Sequence, residues 1–323
     1  MKLQHLSALL AVVDHHFNLT ITAQHLFTTQ PAISKYITQL EEDIGVSLFE
    51  RRGRRILGLS KEGEQVYEHA RRMMQEVENI RKIAQMSSSP ETGLIRMATT
   101  HTQARYYLPA RIPRYMAQHP NVKMQLFQHT PAHNAKLLAD GQVDIAICTE
   151  VLSDFNGLLA IPCYRWNRLL LVPHGHPLTE IPLLTLADIA AYPLISYSMG
   201  FTGRGKLDQT FRQSGIHPNI VITASDADVI KTYVRLGLGV GIVAEMAYES
   251  GADFDFTAIS LAHLFPSATT WVAYQKHRLI LRYIFDFIRQ LSPMTRLRFR
   301  EGEILYEPHE DRIPSYDLLR VNK

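Results

Sequence analysis

A chain of 323 residues with 46% hydrophobic and 20% charged residues fits a soluble globular protein with room for two or three domains, each with its own core. No run approaches the ~18 apolar residues of a membrane span. Two cysteines, Cys148 and Cys163, are too few for a disulfide framework. They read as small buried hydrophobes in a cytoplasmic protein. A formal charge of +3 permits a nucleic-acid partner without demanding one, so the placement of charge has to decide.

Leu6 to Val13 lacks the flanks of a secretion signal and reads as an amphipathic first helix. Asn18-Leu19-Thr20 opens a second helix, with Thr20 expected at its N-cap. Thr28-Thr29-Gln30 makes a short turn, and Pro31 sits in the first turn of a third helix, where its missing N–H costs little. Ile33, Ile37, Leu40 and Ile44 recur at helical spacing and face a core. That leaves Thr29, Gln30, Pro31, Ser34, Lys35 and Thr38 at the start and on the outer face, suited to base edges and phosphates in a major groove. A solvated helix face would look the same taken alone.

The next stretch shifts the balance. In "LFERRGRRILGLSKEG" Arg51, Arg52, Arg54 and Arg55 surround Gly53 between strand-like Leu48-Phe49 and Ile56-Leu57. A hairpin with an arginine tip directly after such a helix reads as a wing gripping the phosphate backbone. Ser60 then caps a long helix to about Met86. Val66, Ala70, Met73, Val77, Ile80 and Ala84 follow an alternating heptad seam, which predicts a dimerising helix. "SSSPETG", residues 87–93, ends it as a hinge.

"AQHLFTTQPAISKYITQLEEDIGVSLFERRGRR" carries nearly intact the pattern of LysR-type transcriptional regulators, so residues 1–86 resemble their winged helix-turn-helix and linker helix. Tyr36 departs from that pattern, standing where Gln or Arg is common.

From Gly93 onward strand-like and helix-like segments alternate, as in βαβ units on mainly parallel sheets. "GLIRMATT", "VKMQLFQHT" and "VDIAICTE" are strands of a first lobe. "RWNRLLLVPHGHPL" begins a second, and "TTWVAYQK" returns to the first. The expected fold is α/β, with an all-α-type winged helix-turn-helix N-terminal domain and a C-terminal two-lobed effector domain like the periplasmic-binding-protein type. The expected boundaries are 1–60, 61–87 and 88–323, with lobe I about 93–162 and 267–292 and lobe II about 163–266. In such sheets ligands sit at the carboxyl ends of strands. Thr100, Thr102 and Gln103 follow the first strand, Thr149 follows "VDIAIC", and Thr202 and Gly203 precede a helix beginning near Arg204. Hydroxyls, an amide and helix N-termini together suit a small oxyanion or carboxylate.

"ATTHTQARYYLP", "GFTGR" and "SDADVIKTYVRLGLGVGIVAEMA" narrow the resemblance to the CysB branch of the LysR family, the regulators of sulfur assimilation. "RWNRLLLVPHGHPLT" and "RRGRRILG" lean toward the sister Cbl group, which serves sulfate-starvation and sulfonate genes. The resemblance implies an effector site at Thr100, Thr102, Gln103, Thr149, Trp166 and Thr202. It would take sulfate, thiosulfate, O-acetylserine, N-acetylserine or adenylylsulfate. It also implies double-stranded promoter DNA and RNA polymerase as partners and a homodimer or homotetramer, with no cofactor. The tail from about Ser292 matches neither group well.

Other signals are set aside. Gly237-Leu238-Gly239-Val240-Gly241 follows a helix and precedes a strand, the reverse of a dinucleotide fingerprint. His174 and His176 lack a third ligand, so no metal is expected, and no nucleophile–base pair emerges, so no enzyme is expected. A sulfate-capturing transport protein would share two lobes but has no use for an arginine wing.

Overall fold

The computed structural model describes residues 1–53, 55–88, 92–149, 157–201, 203–306 and 313–316, with the backbone alone for 85–88. The chain divides into two compact units, Met1–Ser88 and Ser89–Lys323.

In the first unit, α1 (Leu3–Asp14), α2 (Leu19–His25) and α3 (Gln30–Ile44) enclose a core of Leu6, Leu9, Val12, Ala23, Ile33, Ile37 and Leu40. Asn18, not Thr20, caps α2: its side chain accepts from the N–H groups of Thr20 and Ile21. The short amide side chain reaches the free donors at positions two and three beyond it, which Thr20 inside the first turn cannot do. Thr29 caps α3, and Gly45 ends it in the left-handed conformation. The hairpin β1 (Phe49–Arg52) and β2 (Arg55–Leu59) follows, with Arg52 opposite Arg55 and Gly53 at positive φ in the turn. The Ser60 hydroxyl then accepts from Gly63 N–H and caps α4 (Lys61–Ser88).

The second unit holds two five-stranded sheets. Lobe I has β3 (Gly93–Thr99), β4 (Val122–Gln128), β5 (Ile145–Cys148), β6 (Leu158–Trp166) and the late strand β12 (Ala268–Gln275), in the order β4-β3-β5-β12-β6. β3 is parallel to β4 and β5, while β12 runs antiparallel to β5 and β6. β6 therefore points the same way as β3 and β5. The helices α5 (Ile112–Gln118), α6 (Pro131–Ala139) and α10 (Arg282–Leu291) complete this part of the chain.

Lobe II has β7 (Arg168–Pro173), β8 (Leu194–Tyr197), β9 (Ile220–Ala224), β10 (Val240–Ala244) and β11 (Phe256–Ser260), in the order β11-β7-β10-β8-β9. The last three in that order are parallel. Leu170, Leu194 and Ile242 pack with Ile189 of α7 (Leu186–Ala190) and with Leu207 and Phe211 of α8 (Arg204–Gln213). α9 (Ala227–Arg235) runs into the glycine-rich stretch, where Gly237 turns the chain at positive φ. A Cβ at Gly239 would lie 2.3 Å from the carbonyl oxygen of Pro193. These glycines stop a helix and admit close backbone packing, with no dinucleotide loop. A hairpin of β13 (Leu297–Arg300) and β14 (Glu303–Tyr306) follows α10. Among the described residues, no helix is long and apolar enough to cross a membrane.

Candidate functional site

Because β3, β5 and β6 point one way, their carboxyl ends open on one edge of lobe I. Thr99 pairs with Ile147, so Thr100 and Thr149 leave adjacent strands side by side, and Trp166 ends β6 on the same edge. All three are buried, at 2%, 5% and 1% exposure. The Thr149 hydroxyl and the Trp166 indole N–H have no hydrogen-bond partner among the described residues. Buried polar atoms are nearly always paired, so two orphans at one sheet edge single that edge out as a candidate ligand site.

The segment after Thr100 is not a regular α-helix. After a first turn at His101 and Thr102 it becomes a π-helix, Gln103–Tyr107, and then a 3₁₀ turn, Leu108–Ala110. Such wide turns recur at functional sites because they re-aim side chains. Gln103 is fully buried, and the Tyr164 hydroxyl donates to its Oε1 at 2.6 Å. Its Nε2 donates to Thr270 Oγ1 at 3.5 Å. Gln103 is thus set rigidly within lobe I.

The facing edge belongs to lobe II. Tyr197, at the carboxyl end of β8, accepts at its phenol oxygen from the N–H of Ala244 at 3.3 Å. The Tyr106 hydroxyl donates to Asp228 Oδ1 at 2.6 Å, and Arg105 stands 3.9 Å from both Asp228 and Glu249. Burial raises the pKa of the Tyr106 and Tyr164 phenols and pushes that of Tyr197 up to about 12, so all three stay neutral donors at ordinary pH. Arg168, 3% exposed, donates to the carbonyls of Pro266 and Gly203, with its guanidinium 5.5 Å from the Trp166 ring. Gly203, at positive φ, precedes α8 with no side-chain cap on the helix's free N–H groups. Arg168 and the uncapped N–H groups of α8 give this edge donors suited to a small anion, beside the acidic Asp228 and Glu249. Thr202 lies outside the described residues.

His101, Asp226 and Asp228 bring three donor atoms within 4.8 Å of one another. Asp226 already caps α9, and Asp228 receives Tyr106 and faces Lys231 at 3.6 Å. With Lys231 and Arg105 beside it, a further cation gains little there. The sequence reading missed Tyr106, Tyr164, Arg168, Tyr197 and Asp228, because no local spacing distinguishes them from core or surface residues.

In the first unit, Lys35 and Thr38 are exposed on α3, and Ser34 is half-buried. Tyr36 turns inward and stacks on His5 at 5.6 Å, so it leaves the outer face. Arg52 and Arg55 are exposed on the wing. Arg51 is held by Glu41 of α3 at 2.9 Å. Arg54 lies outside the described residues. The heptad seam divides: Val66 and Ala70 pack on this unit's own core, whereas Met73, Ile80 and Ala84 are exposed and Val77 is half-buried.

The family description "LysR substrate binding domain" matches residues 88–295, and "Bacterial regulatory helix-turn-helix protein, lysR family" matches residues 3–64. The chain is 41% identical over 306 residues to the HTH-type transcriptional regulator CysB of Haemophilus influenzae, covering 94% of each chain. It is 41% identical over 288 residues to the regulator cbl of Escherichia coli, covering 89% of this chain and 91% of that one. A crystal structure of the cofactor-binding domain of the Cbl transcriptional regulator superposes with TM-score 0.61 at 43% identity, covering 62% of this chain and 89% of that chain. A full-length OxyR variant from Pseudomonas aeruginosa shares the fold at 19% identity, with TM-score 0.68 over 90% of this chain and 95% of that chain.

Proposed function

The chain belongs to the LysR family of transcriptional regulators, and from that premise we propose that it controls sulfur-assimilation genes in response to a small anion held between its two lobes. The observation that carries the reading is the pair of orphaned buried donors, Thr149 Oγ1 and Trp166 Nε1, at the edge shared by Thr100, Thr102 and Gln103. An oxyanion offers several acceptor atoms to such an array, and neutral donors bind it without adding charge that would hold it permanently. Thr202, next to Gly203 in the sequence, is a further candidate for the set. The effectors that fit are sulfate, thiosulfate, O-acetylserine, N-acetylserine and adenylylsulfate.

The outer arm of the α4 seam, with Met73, Ile80 and Ala84 exposed and Val77 half-buried, supports pairing of subunits, because an apolar stripe in water gains by burial against a second copy. Lys35 and Thr38 with Arg52, Arg54 and Arg55 would then face promoter DNA in the cytoplasm, with RNA polymerase as the downstream partner. The CysB and Cbl types stand level at 41% identity, so effector preference decides between them. Titration calorimetry of the full-length protein against the five anions, with gel shifts on promoter DNA at rising salt, tests the proposal. Failure of every anion to bind would refute the effector reading. Salt-independent DNA binding would refute the wing.

A further inference from the structure

Among the described residues β6 is the outermost named strand of its sheet, with β12 as its neighbouring strand. Its other edge would leave backbone groups open to a stray strand. Residues from the far end of the chain cover part of it. Arg165 N–H donates to the carbonyl of Pro314 at 2.8 Å, and Arg165 forms a parallel bridge with Ser315. Pro314 supplies an acceptor and has no N–H to extend the pairing outward. Next to it Tyr316, 3% exposed, sets its ring 5.4 Å from the ring of Tyr164. Tyr164 is wedged from another side by Tyr107 at 4.4 Å, and its hydroxyl fixes Gln103 Oε1.

We infer that the C-terminal segment carrying Pro314, Ser315 and Tyr316 is part of the effector site's positioning machinery, acting from Tyr316 through Tyr164 onto the amide of Gln103. The inference rests on the effector reading above. Tyr316 touches no anion. Its ring keeps water from Tyr164 and holds the phenol in line, so that Gln103 presents its amide in one orientation and need not be ordered at the moment of binding.

The test uses the full-length protein with inorganic sulfate and N-acetylserine as probes in titration calorimetry. Tyr316→Ala should weaken binding of whichever probe binds by about threefold to tenfold. Tyr316→Phe, which keeps the ring, should stay within about twofold of wild type. The discriminating measurement is the double variant. In a Gln103→Ala background, Tyr316→Ala should cost nothing more, because the route ends at Gln103. Multiplication of the two losses would show Tyr316 acting on general stability and overturn the inference. So would wild-type affinity in Tyr316→Ala when Thr149→Val and Gln103→Ala both bind weakly. If Tyr316→Ala does not fold, Tyr316→Leu, which fills part of the space without a ring, replaces it, with the same expectation in both backgrounds. Wild-type affinity in Thr149→Val and Gln103→Ala would refute the effector site itself, and the tail's role with it.

Discussion

Replacing Thr149 by valine separates a ligand site from a structural hydroxyl, because the two roles move stability in opposite directions. Thr149 is 5% exposed, and its buried hydroxyl has no partner among the described residues. An unpaired buried polar group costs about 1–3 kcal/mol. Valine has nearly the same shape without that group. Thr149→Val should therefore raise the unfolding free energy by about 1 kcal/mol. For a unit of this size that is about 2–4 °C in Tm. The same change removes one donor to a charged acceptor, worth about 1.5–3 kcal/mol. Anion affinity should accordingly fall about tenfold to a hundredfold. Scanning calorimetry without effector and titration calorimetry with sulfate or N-acetylserine read the two quantities independently. A lower Tm with unchanged affinity would refute the reasoning, since the hydroxyl would then be serving the fold.

Three further outcomes are expected. Arg52→Ala on the exposed wing should weaken binding to all DNA sequences alike and flatten the log–log salt slope by roughly 0.9 per lost phosphate contact; an unchanged slope in a filter-binding series would take Arg52 off the backbone. Ile80→Asp, at a position 67% exposed, should alter the stability of the single chain by no more than about 0.5 kcal/mol while dissociating the subunits, and sedimentation at wild-type mass would remove the seam from the interface. Burial lifts the Tyr197 phenol from 10.0 to about 12; for a pKa raised by folding, the stabilisation is complete below pH 10 and lost as pH climbs through about 12. Burial acts in the same direction on Tyr106, Tyr107 and Tyr164, so circular dichroism should stay flat from pH 7 to about 10 and collapse above it, and a midpoint below 9 would contradict these environments.

What the sequence made legible were features with local causes. Ile33, Ile37 and Leu40 announce a helix with one buried face, and all three line the first core. The strand runs ending at Thr99 and Cys148 place Thr100 and Thr149 on one edge because parallel strands share a direction. The seam was readable only by half. Period alone cannot say whether Ala70 meets its own domain, as it does, or a second copy, as the exposed Ile80 can. Non-local pairings left no trace. Tyr106 meets Asp228 across 122 residues and Gln103 meets Thr270 across 167. Nothing near Tyr316 says that it ends against Tyr164. The π-turn was equally hidden, since nothing in the composition of Gln103–Tyr107 announces a wide turn that buries Gln103, Tyr106 and Tyr107.

The step from binding to signalling requires that the anion favour one arrangement of the lobes over another, because a ligand indifferent to both shifts nothing. Tyr106 supplies a contact on which such a preference can act: its hydroxyl donates to Asp228 Oδ1 of α9 at 2.6 Å and so ties lobe I to lobe II. A hydrogen bond to a charged acceptor is worth about 1.5–3 kcal/mol. An anion that prefers the arrangement this bond holds is reciprocally coupled to it by no more than that amount. Tyr106→Phe keeps the ring and removes the tie, with the Thr149 and Gln103 side chains untouched. Affinity for sulfate or N-acetylserine should therefore fall, by about tenfold. Wild-type affinity in Tyr106→Phe would mean that the anion is indifferent to this contact and that the tie plays no part in signalling.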